Sequence, residues 1–328
     1  MKLYYISFTD KGEALAHRLS DALGGEVSRC RKPLTADKWT AERFQTGAGL
    51  VFVGAAGIAV RSVAPYLRDK TTDPAVVVVD ELGRFAVPIL SGHMGGANLL
   101  AGLIADLTGG QAVITTATDV NGLFSVDCWA KSQGCAIPNK DEIKYAAMKI
   151  LSGEALKIKS RWEISGTPPD GAEIVHSGGY DVIMDVYGDG QNALHIVPRI
   201  VALGIGCKRG IAFDIIYSAY QRFISDTGLH RQSIFCVASI DLKRDEEGII
   251  RLTESLGVPF YTYSADDLRA VRGEFTTSEF VRRVTGVDNV CERAAALSAG
   301  GGVIERKRSY EGVTFAAAER VYTPDWRT

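Results

Sequence analysis

The run AVVVVD at Ala75–Asp80 has no polar face. Successive side chains of a strand point to opposite faces, so an unbroken apolar run demands cover on both. Such a strand belongs in the middle of a layered α/β sheet, with helices above and below it. The flanking sequence agrees. Lys2–Ser7 reads as a strand, and Asp10–Leu23 follows as an amphipathic helix with Leu15, Leu19 and Leu23 on one face. Leu50–Val53 is a further strand whose glycine-rich exit leads into a helix through Ile58–Ala64. Leu99–Leu107 reads as a helix closed by Gly109 and Gly110, and Ala112–Thr116 as the next strand. These elements predict an α/β fold with a mostly parallel, doubly wound N-terminal domain over residues 1–136.

From Ile137 the pattern changes. Short alternating runs at Ala172–Val175, Asp181–Tyr187 and Ala193–Val197 sit between the turn clusters GTPPDG and SGGYD. They predict a small β-rich middle domain over residues 137–198. At Arg199 the strand, glycine turn and helix return in IVALGIGCKRG. The strands Ser233–Ile240 and Pro259–Tyr263 follow, then a hairpin-like pair around Gly302–Arg306 and Val313–Glu319. A separate C-terminal α/β domain over residues 199–328 is expected.

The formal net charge is −2, which gives no reason to expect nucleic acid or a membrane as partner. No apolar run reaches the roughly 18 residues of a membrane span. The start, MKLYYISFTDKGEALAHRL, reads as a strand entering a helix rather than as a signal peptide. The six cysteines are scattered and form no C-x-x-C, so a structural zinc site is not expected. Reduced thiols in a cytoplasm fit this usage.

Four loop motifs lie between Gly54 and Asp119, each beside an apolar strand or helix, where α/β proteins place ligands. Their density suggests one shared site. In GAAGIAVRSVAP, Gly54 and Gly57 allow close approach to the backbone. Arg61, one turn into the helix, can reach an anion there or be a surface cation. In DKTTDP, Lys70 and Asp73 form a solvated pair or part of the site, with Asp73 held extended before Pro74. In LSGHMGGAN, Gly92, Gly95 and Gly96 precede a helix start whose N–H groups suit a carboxylate or an oxyanion. Alternatively the glycines serve packing, and Ser91 or Asn98 caps the helix. His93 among these glycines can be a general base, a proton shuttle or a metal ligand. TTATD places Thr116 and Asp119 at a strand end, where Asp119 orients a histidine, binds a donor or caps a helix.

In the C-terminal domain, GIGCKRG sets Lys208 and Arg209 at a strand-to-helix turn. The turn suits an acidic ligand, or is simply solvated. Cys207 beside them is either reactive or packed. NVCE (Asn289–Glu292) has the spacing of a capping box, which gives Glu292 a structural role first. The dinucleotide fingerprint is absent, since the third glycine falls at Gly210, one place late. There is no phosphate-binding Walker loop and no nucleophile elbow.

Taken in order, these motifs resemble the cobalt-precorrin-5A hydrolase family of anaerobic cobalamin biosynthesis. The resemblance rests on GAAGIAVRSVAP, DKTTDPAVVVVDE, LSGHMGGAN and TTATD in the first half. It continues in GIGCKRG, SIDLKRDEEG (Ser239–Gly248), TSEFV (Thr277–Val281), GVDNVCE (Gly286–Glu292) and the final VTFA. The C-terminal part is also similar to a small stand-alone protein of the aerobic pathway. The resemblance implies a hydrolase acting on a cobalt-bearing, ring-contracted tetrapyrrole that carries a δ-lactone. The lactone opens, the former C20 bridge leaves with its methyl as acetaldehyde, and cobalt-precorrin-5B remains. Cobalt arrives with the substrate, so no cofactor or metal of the protein's own is expected. In that chemistry His93 and Asp119 are the catalytic candidates.

The substrate-binding candidates are Gly54, Gly57, Arg61, Lys70, Asp73, Ser91, Gly92, Gly95, Gly96, Asn98, Thr116, Lys208 and Arg209, with Arg84 as a further cation for the substrate carboxylates. A cleft between two α/β domains would suit so large and flat a macrocycle. The expected partners are the cobalt-corrinoid intermediate and, transiently, corrinoid methyltransferases. The other reading is a non-catalytic carrier that holds an unstable intermediate between methyltransferases. A carrier needs the basic cleft but not His93, and acetaldehyde release separates the two.

Overall fold

In the computed structural model, residues 1–69, 72–93, 95–188 and 192–327 are described. They group into two units, Met1–Cys128 and Trp129–Thr328.

The first unit is built on the strands β1 (Lys2–Ser7), β2 (Glu26–Arg29), β3 (Ala48–Val53), β4 (Ala75–Val79), β5 (Phe85–Leu90) and β6 (Gln111–Ala112), in the order β2-β1-β3-β4-β5-β6. The apolar run is central and buried on both faces, as its composition requires. Val77 and Val79 pack with Leu15 and Leu19 of the helix Asp10–Leu23 and with Leu100 and Ile104 of the helix Ala97–Thr108. Val76 and Val78 pack on the other face with Trp39 of the helix Ala36–Arg43 and Ala59 and Val63 of the helix Ala56–Val63. Helix ends follow local chemistry. Thr9 accepts from the Gly12 N–H at 3.0 Å at the start of the first helix, and Gly109 closes Ala97–Thr108 in the left-handed conformation.

Two strands run against the rest. The pairings among β1, β2, β3 and β4 are parallel, but β5 is antiparallel to β4 and β6 follows β5. Where the sequence predicts a strand over Ala112–Thr116, the ladder ends after Ala112 and a short helix, Ala117–Val120, follows.

The second unit holds two sheets. The strands β7 (Cys135–Ala136), β8 (Leu156–Ser160), β9 (Ala172–Ile174), β10 (Val182–Met184) and β11 (Leu194–Pro198) form a sheet in the order β7-β11-β10-β8-β9. Its pairings are parallel except β7 with β11. The third sheet comprises β12 (Val201–Cys207), β13 (Ile234–Ile240), β14 (Phe260–Tyr263), β15 (Val303–Tyr310) and β16 (Val313–Glu319), in the order β14-β13-β12-β16-β15. The helices Phe213–Thr227 and Glu247–Leu256 cover one face over Leu203, Ile205 and Phe315. The helix Cys291–Ala299 covers the other through a seam of small residues, Ala202, Ala295 and Ala318. Gly204 lets that helix sit down, because a Cβ there would lie 1.8 Å from the carbonyl oxygen of Cys291. Among the described residues, no helix is long and apolar enough to cross a membrane.

Candidate functional site

The reversal of β5 decides where the loops fall. Leu90 pairs with Val76 and Ala86 with Val79, so the glycine loop after Leu90 lies beside the start of β4. The loop is self-contained. Ser91 is left-handed at φ 55° and its Oγ donates to the carbonyl of Asp73 at 2.9 Å. Asp73 is buried, and its carboxylate accepts from the backbone N–H of Arg68 at 3.1 and 3.2 Å. Gly95 is forced by contact, since a Cβ would lie 2.3 Å from that of Ser91. The N–H groups of Gly96, Ala97 and Asn98 bond the carbonyls of His93, Ser91 and Gly92. The amides at the start of the helix are therefore spent inside the loop rather than offered to a ligand. The helix cap is Gly96 without a side-chain bond, so neither Ser91 nor Asn98 serves as one.

Asn98 reaches out instead. Its Nδ2 donates to Thr116 Oγ1 at 3.1 Å and to Asp119 Oδ2 at 2.6 Å. That same Asp119 oxygen lies 3.5 Å from His93 Nε2, with the two side chains 33% and 20% exposed. Thr116 is the N-cap residue of the helix Ala117–Val120, so Asp119 is inside that helix and not its cap. Two neighbours of the imidazole have no place among the sequence-derived candidates. Thr118 Oγ1 is 3.1 Å from Nε2, and Cys128 Sγ is 3.3 Å from Nδ1. Thr118 lies within the TTATD motif and was legible there; Cys128, 35 positions beyond His93, carries no local signal. The Asp119 carboxyl and two ring contacts fix the orientation of His93, the arrangement of an oriented proton-transfer group.

The structure brings together His93, Asp119, Asp73, Ser91, Gly92, Gly95, Gly96, Asn98 and Thr116 at this edge of the sheet. It does not bring Gly54, Gly57 and Arg61 there. Gly54 donates to the Val79 carbonyl, at the far end of β4, about 13 Å along a strand from Ala75. Arg61 is exposed and folds back to the Gly57 carbonyl at 3.3 Å. Arg84 is exposed in the turn at that same far edge. The single shared site expected from the four loops is thus two edges of one sheet. Lys70 lies outside the described residues.

In the second unit, Lys208 and Arg209 line a cavity of about 710 Å³ over the ends of β12 and β13. Lys243 and Lys307 join them in its lining, with Ile240, Phe280, Val281 and Val284. The turn is braced by Glu246, which accepts from the Gly210 N–H at 2.6 Å and from Lys243 Nζ at 3.0 Å. Burial pushes the Cys207 thiol up to about 11 against the pull of Lys243, the behaviour of a packed residue. Asn289 stands one residue ahead of the N-cap position, Val290, and its Oδ1 accepts from the Glu292 N–H at 2.9 Å. Glu292 does not return the bond as a capping box would. It turns to the Thr276 N–H and Oγ1 and to the Lys307 N–H, each at 2.8 Å. Among the described residues, no group of three or more histidine, cysteine or acidic side chains is placed to hold a metal ion.

Two family models match the chain, Cobalamin synthesis G N-terminal over residues 38–119 and Cobalamin synthesis G C-terminus over residues 201–318. The chain is 32% identical over 292 residues to a cobalt-precorrin-5A hydrolase of Salmonella typhimurium, covering 83% of this chain and 82% of that one. It is 27% identical over 341 residues to a cobalt-precorrin-5A hydrolase of Priestia megaterium, covering 96% and 87%. A shorter relative, Protein CobE of Sinorhizobium sp, is 31% identical over 101 residues, 30% of this chain and 66% of that one.

Proposed function

The chain belongs to the cobalt-precorrin-5A hydrolase family, and on that premise we propose that it opens the δ-lactone of a ring-contracted cobalt corrinoid and releases acetaldehyde, leaving cobalt-precorrin-5B. The observation that carries this reading is His93, oriented by Asp119 at 3.5 Å on the edge of the first sheet. Lactone hydrolysis adds water across an ester and needs a group that takes a proton and returns it to the leaving alkoxide. The freed alcohol then loses its proton, its carbon–oxygen bond becomes a carbonyl, and the neighbouring carbon–carbon bond breaks. The electron pair passes to the macrocycle, which takes up a proton, so acetaldehyde leaves without an oxidant or a reductant. An imidazole beside a carboxylate can serve each proton transfer in turn. Cobalt travels with the substrate. The carboxylates of the corrinoid are assigned to cations, among them Lys208 and Arg209. Corrinoid methyltransferases, which handle such intermediates, are the proposed transient partners.

One observation favours the carrier reading: both ring nitrogens of His93 have protein partners. The test is acetaldehyde release from cobalt-precorrin-5A by the purified protein, read through coupled alcohol dehydrogenase. Turnover is expected for the natural chain and a loss of about a hundredfold to ten-thousandfold for His93→Ala, the usual contribution of a general acid–base group. Tight corrinoid binding with no acetaldehyde from either protein would make it a carrier.

A further inference from the structure

We propose that Cys128 is the nucleophile that opens the lactone, so that hydrolysis passes through a thioester on this side chain. The inference rests on the hydrolase reading and adds a catalytic group to it. Cys128 Sγ stands 3.3 Å from His93 Nδ1, while Asp119 Oδ2 and Thr118 Oγ1 stand 3.5 and 3.1 Å from Nε2. A thiol on one ring nitrogen and an orienting carboxylate on the other is the order of parts in an activated nucleophile, its base and its positioning group. The arrangement also accounts for a ring whose two nitrogens both have side-chain partners. Direct activation of water would require one of these contacts to break, whereas here Nδ1 is held by the group that reacts.

Cys128 is partly buried, within the helix Val126–Ser132. In the first step His93 takes the thiol proton and the thiolate adds to the lactone carbonyl. The sulfur–carbon bond forms, the ester carbon–oxygen bond breaks, and the imidazolium returns its proton to the departing alkoxide. In the second step His93 takes a proton from water, whose oxygen bonds the carbonyl carbon. The sulfur–carbon bond breaks and the thiolate recovers that proton. The sum is lactone plus water giving carboxylic acid plus alcohol.

The test uses the full chain with cobalt-precorrin-5A and the variants Cys128→Ser and Cys128→Ala, the first nearly isosteric and both checked for an unchanged circular dichroism spectrum. Both should lose acetaldehyde release at least about a hundredfold, with corrinoid affinity within about twofold. Acid quench of the natural chain during turnover should leave the substrate mass on the peptide containing Cys128, discharged by hydroxylamine as the hydroxamate. Natural rates in both variants, with no adduct on the natural chain, would overturn the cysteine while leaving the hydrolase intact. A natural chain that binds substrate and releases no acetaldehyde would overturn both.

Discussion

Glu292 has no solvent contact and is nevertheless held as a carboxylate. Burial alone would push its carboxyl up. The backbone N–H groups of Lys307 and Thr276, the Thr276 hydroxyl and the nearby Arg306 outweigh that and hold it below the ordinary carboxylate range. A carboxyl lowered on folding contributes stability that is complete above its unfolded value and is lost as pH falls through its folded one. Glu292→Gln should therefore be less stable than the natural chain at neutral pH, and the gap should narrow on acidification. Urea unfolding at about pH 7 and about pH 3.5 measures this; a gap that stays constant or widens toward acid would contradict the assignment. Half of this residue's role is legible in the chain. The Asn289-x-x-Glu292 spacing marks a helix start, but the partners of the carboxylate lie 16 and 15 positions away, where no spacing rule reaches. His93 and Asp119 were legible for the same reason that Cys128 was not: the first two stand in glycine-rich and strand-end motifs, and the third only in space.

The elements of regular pattern are read to the residue, as in β1 and the helix Asp10–Leu23. The helix Ala36–Arg43 escapes because it buries little beyond Trp39 and Thr40, so it has no apolar stripe. The direction of β5 had a signal that composition hides. Only Asp80–Arg84 separates β4 from β5, and a parallel crossover needs about a dozen residues or more, so the pair must be antiparallel. That one connection moves the glycine loop to the opposite edge of the sheet from Gly54. In the second unit the contact between β12 and the helix Cys291–Ala299 depends on the missing side chain of Gly204. Gly204→Ala must push the helix away from the sheet, and overpacking of this kind costs about 1–3 kcal/mol. Thermal unfolding should show a lowered midpoint. An unchanged midpoint would mean that the helix docks without this close approach.

At the scale of the whole molecule, a net charge of −2 and the proposed polycarboxylate substrate are compatible only if positive charge is concentrated locally. The cavity containing Lys208, Arg209, Lys243 and Lys307 is such a concentration, and apolar side chains such as Phe280 and Val284 share its lining. Contacts between exposed charges weaken as the screening length shrinks, to about 8 Å at physiological ionic strength. Corrinoid affinity should fall steadily with added salt, and Lys208→Ala should raise KM more than it lowers kcat, since binding charges hold substrate and transition state alike. Affinity indifferent to salt and to this substitution would place the substrate carboxylates elsewhere. The reversed β5 has a practical consequence as well. Its hairpin with β4 exposes Leu82 at the sheet edge remote from His93, in a turn whose ends are already fixed by bonds from Leu82 and Phe85 to Asp80. Lengthening such a turn adds little closure entropy. An epitope or a tether grafted between Leu82 and Gly83 would give a handle for immobilising the enzyme with its histidine edge turned away from the support.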